Sequence, residues 1–311
     1  MYDILIIGAG PAGMTAAIYG QRGGKKTVLF DQLSYGGQVI NTADVANYPG
    51  MPDMTGLEFA NQVYKQFTDL GAEMKYEKII RVTDADKPVK TVVTESGNEY
   101  RCKSIIIATG AQPRPLGVDG EDRFKGAGIS YCATCDGAFF KDKVVAVAGG
   151  GNTALEDAEI LSDLAEKVYL IHRRDEFRAD ATNVARVKSK ANVEPVLNAV
   201  VTGLKGDKYL EGVEVENRET KEKRTLNVNG IFVAIGQVPQ NEVFKDFVKL
   251  NKAGYVEAGE DCQTGTPGVF AAGDCRTKKV RQITTAVADG AVAALAAIEH
   301  INKTCYEVNN Q

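Results

Sequence analysis

The 311-residue sequence predicts an α/β protein of two three-layer units built on one plan, the second inserted into the first. Three observations carry that expectation. Two glycine-rich stretches, GAGPAG at 8–13 and GGGNTA at 149–154, each follow an apolar strand and open a helix. Each is succeeded by a second strand, an alternating hairpin region and an apolar closing strand, so the same programme runs twice. Near the C-terminal end, GVFAAGDCR and a long apolar helix read as a return to the first unit.

The elements follow in order. YDILIIGAG is the first strand and turn, MTAAIYGQR a helix of small residues, and KTVLFD a strand ending at Asp31. RVTDADKPVKTVVTESGNEYRC alternates as an antiparallel region does, and SIIIATG is the buried strand that ends at Gly110. The second copy opens with KVVAVAGGGNTA, continues into a helix with Leu155, Ala158, Leu161 and Leu164 at helical spacing, and reaches the strand KVYLIH. YLEGVEVENRETKEKRTLNV is again a hairpin region, and GIFVAIG closes the copy at Gly236. The expected boundaries are 1–113 with 243–311 for the first unit and 114–242 for the second. Pro113, Pro115 and Gly117 mark one crossing, and Gly236 and Pro239 the other.

Such a strand–glycine–helix turn is the Rossmann-like dinucleotide fingerprint. The first glycine makes the tight turn, the second lets backbone approach a pyrophosphate, and the third small residue lets helix and strand pack closely. The helix N-terminus supplies free N–H groups to the phosphates. About 20 residues further on, a carboxylate at a strand end binds a ribose 2′-hydroxyl, and Asp31 fits that position. In the second copy the same place reads HRRDEFR, with Arg173, Arg174 and Arg178 where the acid would stand. Guanidinium forks suit a 2′-phosphate, so the second site is expected to take NADPH. The competing reading is a solvated turn in which Asp175 and Glu176 offset the arginines.

A formal charge of -4 with interspersed signs offers no broad cationic face to nucleic acid or anionic lipid. The opening MYDILIIGAG reads as a strand and not a signal peptide, which points to the cytoplasm. No run reaches the roughly 18 apolar residues of a membrane span, and AVAALAAI is taken as the core face of a helix. Cys102, Cys262, Cys275 and Cys305 stand singly, unlike a disulfide scaffold.

Cys132 and Cys135 alone form a motif, in YCATCDGAFF at 131–140. Zinc needs about four ligands, yet the chain has one C-x-x-C and two histidines, His172 and His300. Two buried thiols are the second alternative. A redox pair is the reading the chemistry favours: sulfurs at i and i+3 on a first helical turn can close a small disulfide ring, and a lowered thiol pKa there makes a thiolate available. Asp136 adjoins the pair and is the candidate general acid for the leaving thiolate, with a turn-capping role as its alternative.

With GAGPAG, GGQ (36–38), NYPG (47–50), ATG (108–110), CATCDG (132–137), GGGNTA, HRRDEFR, AAGD (271–274) and RQ (281–282) in place, the chain resembles the low-molecular-weight bacterial thioredoxin reductases over essentially its whole length. CATCD just before a second fingerprint is the most specific of these. The resemblance implies FAD on the first unit, touched by Gly8, Gly10, Ala12, Gly13, Asp31, Gly37, Gln38, Asn47, Thr109, Gly273, Asp274, Gln282 and Ile283. It implies NADPH on the second, at Gly151, Asn152, Thr153, His172, Arg173, Arg174 and Arg178. Electrons then pass from NADPH to FAD, to the Cys132/Cys135 disulfide, and to thioredoxin or a thioredoxin-like partner. Cys135 is assigned to the flavin side. The helix after Gln282 is placed to stabilise negative charge on a reduced flavin, and a homodimer is expected.

Both the redox pair and the NADPH fingerprint lie on the inserted unit, so the half-reactions are expected to alternate by its rotation about the two crossings. The larger flavin disulfide reductases carry their cysteines shortly after the first fingerprint, but residues 14–101 hold none. A ferredoxin-driven flavin thioredoxin reductase and a flavin redox sensor without turnover remain as alternatives.

Overall fold

The computed structural model describes residues 1–42, 45, 47–51 and 54–309, with the side chains of 305–309 outside the description. The chain divides into two compact units, residues 1–112 with 238–311 and residues 113–237.

The first unit starts with β1 (Tyr2–Ile7), α1 (Pro11–Arg22), β2 (Thr27–Asp31), α2 (Gly56–Asp69), β3 (Glu73–Tyr76), β4 (Ile79–Thr83), β5 (Lys90–Thr94), β6 (Glu99–Ile107) and β7 (Ala111–Pro113). The helix α2 begins where Thr55 and Glu58 form a reciprocal capping box. Strand order in the sheet is β3-β2-β1-β6-β5-β4. The alternating and apolar stretches read separately in the sequence form one nine-residue strand at β6. Its first half pairs antiparallel with β5, Lys90 opposite Cys102, while its second half runs parallel to β1, Ile7 opposite Ile107.

The inserted unit contains α3 (Glu121–Phe124), β8 (Ile129–Ser130), α4 (Ala133–Asp136), β9 (Val144–Gly149), α5 (Asn152–Ser162), β10 (Lys167–Ile171) and α6 (Ala181–Ser189). It continues with β11 (Val193–Val196), β12 (Ala199–Lys205), β13 (Gly212–Asn217), β14 (Lys223–Asn227) and β15 (Gly230–Ala234), and β16 (Gln237–Pro239) begins at its last residue and runs into the first unit. Its parallel sheet has the order β11-β10-β9-β15-β8, and β12-β13-β14 form a separate antiparallel sheet. Side-chain alternation builds the layers. Val145 and Val147 of β9 pack with Leu155, Ala158, Leu161 and Val187 of the helices. Ala146 and Ala148 face Val213, Val215 and Leu226 of the small sheet.

The chain returns to the first unit with β17 (Val269–Ala271), paired to the second half of β6, and α7 (Ile283–Asn309). Here Ile4, Ile6 and Ile106 face α1 and α7, whereas Leu5, Ile7, Ile105 and Ile107 face Phe244, Val248 and Val256. The sequence set the return at 242/243, and the structural division falls at 237/238. Asn241 explains the difference. Its side chain accepts from the Thr109 hydroxyl at 2.9 Å and donates to the Gly254 and Cys275 carbonyls at 2.9 and 2.8 Å, all within the first unit.

By length and composition, Ile283–Thr304 of α7 is the one candidate membrane span among the described residues, at a mean hydropathy of 1.2. Its apolar character has a use inside the unit, where Ala293, Ala294, Ala297 and Ile301 are buried in the core with α1.

A buried charge network ties α7 to the loop after β17. Asp289 accepts from Arg276 Nε and Nη2 at 2.8 and 2.7 Å, from Lys278 Nζ at 2.8 Å and from the Gly273 backbone N–H at 2.9 Å. Burial alone would raise its pKa, but the bonds from Arg276 and Lys278 hold it below the usual carboxylate range. A depressed folded value contributes stability that is fully present above about pH 4 and is lost as pH falls through that value. Asp289→Asn leaves two buried cations uncompensated and should lower stability by about 3 kcal/mol. The urea midpoint should fall at neutral pH, with the gap to the native sequence narrowing on acidification below about pH 4. Equal midpoints at neutral pH would show that the network is idle.

Candidate active site

The first fingerprint is shaped by backbone contact. Gly8 has φ +109°, and a Cβ on it would lie 2.3 Å from the Ala108 carbonyl oxygen. The side of Gly10, by contrast, is open, with no atom within 4 Å of where a Cβ would stand. Asp31 at the end of β2 accepts the N–H groups of Ala9 at 2.9 Å and Leu33 at 3.0 Å. Each carboxylate oxygen therefore holds the turn and keeps a lone pair for a hydroxyl.

Other predicted residues converge on this unit from far apart in sequence. Gly37 stands against Gly10, with 3.1 Å between a Cβ there and the Gly10 Cα, and exposed Gln38 follows it in a short 3-10 helix. Asn47 donates to Gln282 at 3.1 Å, beside half-buried Ile283 at the start of α7. Ala12 is buried, and Gly273 approaches it so closely that a Cβ would come within 2.8 Å of the Ala12 Cβ. Asp274 Oδ1 is buried with no hydrogen-bond partner. Burial raises the pKa of this carboxyl against the pull of Lys278 and Arg281. An orphaned buried acceptor suits a hydroxyl donor on a bound cofactor.

The second fingerprint repeats the geometry. A Cβ on Gly149 would lie 2.4 Å from the Ala234 carbonyl oxygen, and Gly151 is as open as Gly10. Asn152 braces the helix start, accepting from the Asp180 N–H at 2.8 Å and donating to its carboxylate at 3.0 Å, while Thr153 is exposed on the first turn. His172 is buried, with Nε2 at 3.0 Å from the Glu176 carbonyl oxygen. Burial lowers its pKa, as do Arg174, Arg173 and Arg178, so the imidazole is neutral at neutral pH. The Arg178 N–H donates to the Gly150 carbonyl at 2.7 Å, bringing that arginine to the glycine turn.

Among the described residues, no carboxylate stands within ion-pair distance of Arg173, Arg174 or Arg178. Asp175 and Glu176 make no ion-pair contact with them, although the Asp175 charge acts on Arg174 from nearby. Desolvation and then Arg178, Arg173 and Arg218 depress the Arg174 guanidinium. Arg218, which donates to the Arg173 carbonyl at 3.3 Å, escaped the sequence reading because it comes from the β13–β14 turn and carries no motif.

The redox turn joins β8 to α4. Cys132 and Cys135 form a disulfide with Cα atoms 5.3 Å apart. Cys132 Sγ accepts the Cys135 N–H at 3.2 Å and lies 3.6 Å from the Thr134 hydroxyl. Asp136 Oδ2 accepts from the Ser130 hydroxyl at 2.6 Å. Two further carboxyls border the turn without any motif to announce them. Glu121 is buried and accepts from the Leu116 and Gly117 N–H groups and from the Tyr131 hydroxyl, fixing the residue before Cys132. Asp157 on α5 is pushed up to about 7 by burial and by Glu156 nearby, against the pull of the Ala133 backbone.

The remaining described thiols are chemically quiet. Cys102, Cys262 and Cys275 are free and buried, and burial pushes them up to about 12, 12 and 11.

Two dinucleotide turns, an uncompensated guanidinium cluster at one of them and a C-x-x-C disulfide define a nucleotide-dependent disulfide oxidoreductase. The chain belongs to the pyridine nucleotide-disulphide oxidoreductase family, whose model matches residues 2–290. It is 42% identical to the thioredoxin reductase of Peptoclostridium acidaminophilum over 308 residues, which is 97% of each chain. The thioredoxin reductase of Bacillus subtilis is 40% identical over 97% of this chain and 96% of its own. The crystal structure of Lactococcus lactis thioredoxin reductase superposes with a TM-score of 0.83 at 39% identity, covering 97% of this chain and 100% of that one.

Burial of the three free thiols predicts selective chemistry. After mild reduction and brief alkylation of the native protein at neutral pH, peptide mapping should find label on Cys132 and Cys135 and none on Cys102, Cys262 or Cys275. Label on the buried three within the same period would mean that their surroundings do not suppress the thiolate.

Proposed function

We propose that the protein is a thioredoxin-disulfide reductase that draws two electrons from NADPH through FAD and delivers them to thioredoxin through Cys132 and Cys135. One observation carries the reading: the Cys132–Cys135 disulfide sits in a turn whose next residue, Asp136, is a hydroxyl-bound carboxylate. The chemistry that bound FAD and NADPH supply is hydride donation and two-electron reduction of a disulfide.

FAD would be held by the turn of Gly8, Gly10, Ala12 and Gly13, by Asp31, Gly37, Gln38, Asn47 and Thr109, and by Gly273, Asp274, Gln282 and Ile283. The orphaned Asp274 acceptor and the open Gly10 support this placement. NADPH would be held by Gly151, Asn152, Thr153, His172, Arg173, Arg174 and Arg178. Guanidiniums without carboxylate partners favour a phosphate ligand, and with it NADPH over ferredoxin as the electron source.

In the reduced protein Cys132 is the attacking sulfur, since the Cys135 N–H and the Thr134 hydroxyl already lie beside it to stabilise a thiolate. It releases its proton to water and attacks one partner sulfur, forming the mixed disulfide and breaking the partner S–S bond. Asp136 gives its proton to the leaving thiolate. Cys135 then loses its proton to the Asp136 carboxylate and attacks Cys132, which restores the intramolecular disulfide. The second partner thiolate takes a proton from water, so two electrons and two protons have left the protein.

Because the redox pair and the arginine cluster belong to one unit and the FAD residues to the other, the reading includes rotation of residues 113–237 about the crossings. A cytoplasmic site accords with three free thiols left unbridged, and a homodimer rests on the family resemblance.

NADPH oxidation should depend on oxidised thioredoxin. Cys132→Ser or Cys135→Ser should abolish that turnover while the flavin is still reduced by NADPH in stopped flow; full turnover in either variant would remove the pair from the mechanism. Arg173→Ala or Arg174→Ala should each lose one charge-assisted contact, worth roughly 1.5–3 kcal/mol. The cost in kcat/KM for NADPH should be about ten- to a hundredfold, with NADH spared. Equal losses for the two coenzymes would contradict the phosphate assignment.

A further inference from the structure

Ser130 is 5% exposed and is held in place by β8, where it pairs with Phe232 of β15. Its hydroxyl oxygen has three partners: Asp136 Oδ2 at 2.6 Å, the Cys132 N–H at 3.1 Å and the Cys132 carbonyl at 3.3 Å. A hydroxyl owns one proton and can donate once. The N–H of Cys132 must donate to it, so the serine proton has two possible acceptors, and the shorter contact, to the carboxylate, is the stronger. Asp136 Oδ2 is therefore occupied by a donor supplied from the end of β8.

We infer that Ser130 is a positioning residue for the exchange step, holding Asp136 through Oδ2 so that Oδ1 carries and delivers the proton. This rests on the reading of Asp136 as the general acid. With the acid protonated on Oδ1, the serine bond to Oδ2 persists. When Oδ1 gives its proton to a leaving thiolate, forming one S–H bond and breaking one O–H bond, the same hydroxyl remains to stabilise the carboxylate produced. The acceptor bond from the Cys132 N–H ties this arrangement to the attacking cysteine, so acid and nucleophile share one anchor. If the proton instead sat on Oδ2, Ser130 would have to turn to the longer Cys132 carbonyl contact, and the acid would point at the serine.

The test exploits leaving-group chemistry. A thiolate of low pKa departs without help, whereas one of high pKa needs a proton. The holoenzyme and its Ser130→Ala and Asp136→Asn variants are reduced anaerobically, freed of reductant, and mixed with either bis(2-hydroxyethyl) disulfide or the aromatic disulfide DTNB. Ser130→Ala should slow exchange with the hydroxyethyl disulfide about tenfold, and Asp136→Asn about a hundredfold, while Ser130→Ala releases the first thiolate from DTNB within about twofold of the native rate. The double variant should be no slower than Asp136→Asn alone. Equal slowing of both disulfides by Ser130→Ala would reduce the serine to a scaffold of the turn, and no slowing of either would make it idle; each result overturns the inference. Native-like exchange of the hydroxyethyl disulfide in Asp136→Asn would instead overturn the general-acid reading beneath it.

Discussion

Each unit depends on one steric constraint, a glycine pressed against a carbonyl at the end of the neighbouring parallel strand. Gly8 meets Ala108 and Gly149 meets Ala234, and in neither place is there room for a Cβ. That contact lets the opening strand end and its helix begin at nearly the same point, so the helix N-terminus projects from the carboxyl edge of the parallel strands. Gly10 and Gly151, two residues on, face open space. Crowding on one side and openness on the other have the same cause, and they place unpaired N–H groups where a phosphate can approach.

The two units handle charge in opposite ways. In the first, Asp289 gathers Arg276, Lys278 and the Gly273 N–H into a buried, satisfied network directly behind Asp274. The loop is held by its neighbours, and Asp274 Oδ1 is left unpartnered. In the second, Arg178, Arg173 and Arg218 act on Arg174 with Asp175 as the one opposing charge, and among the described residues none of Arg173, Arg174 or Arg178 has an ion-paired carboxylate. Such a cluster is tolerable because it is solvated, and it becomes favourable when an anion arrives. Compensated charge serves rigidity, and uncompensated charge serves recognition.

The redox turn and the buried cysteines hold sulfur in different surroundings. Cys102, Cys262 and Cys275 lie inside cores where burial disfavours the thiolate. Cys132 and Cys135 lie in a half-buried turn where backbone and hydroxyl donors already point at sulfur. Ser130, Glu121 and Asp157 surround that turn from a strand and two helices, and they give a short helix of four residues a fixed geometry that it could not hold alone.

Much of this was legible in one dimension, because local patterns report local physics. The two glycine turns, the layered α/β plan, the C-x-x-C pair with Asp136 and the arginine run after β10 each lie within a few consecutive residues, and their spacing is their chemistry. Tertiary structure decided what depends on distant segments meeting. It joined Asn47 to Gln282, used Asn241 to move the return crossing from 242/243 to 237/238, and merged two strand readings into the single β6. It also supplied the groups no motif announces: Arg218, Glu121, Asp157, the Asp289 network, and Ser130 beneath the acid it holds. These are single polar residues whose meaning is a partner, and a hydrogen bond between strands or helices leaves no period or spacing in the chain that forms it.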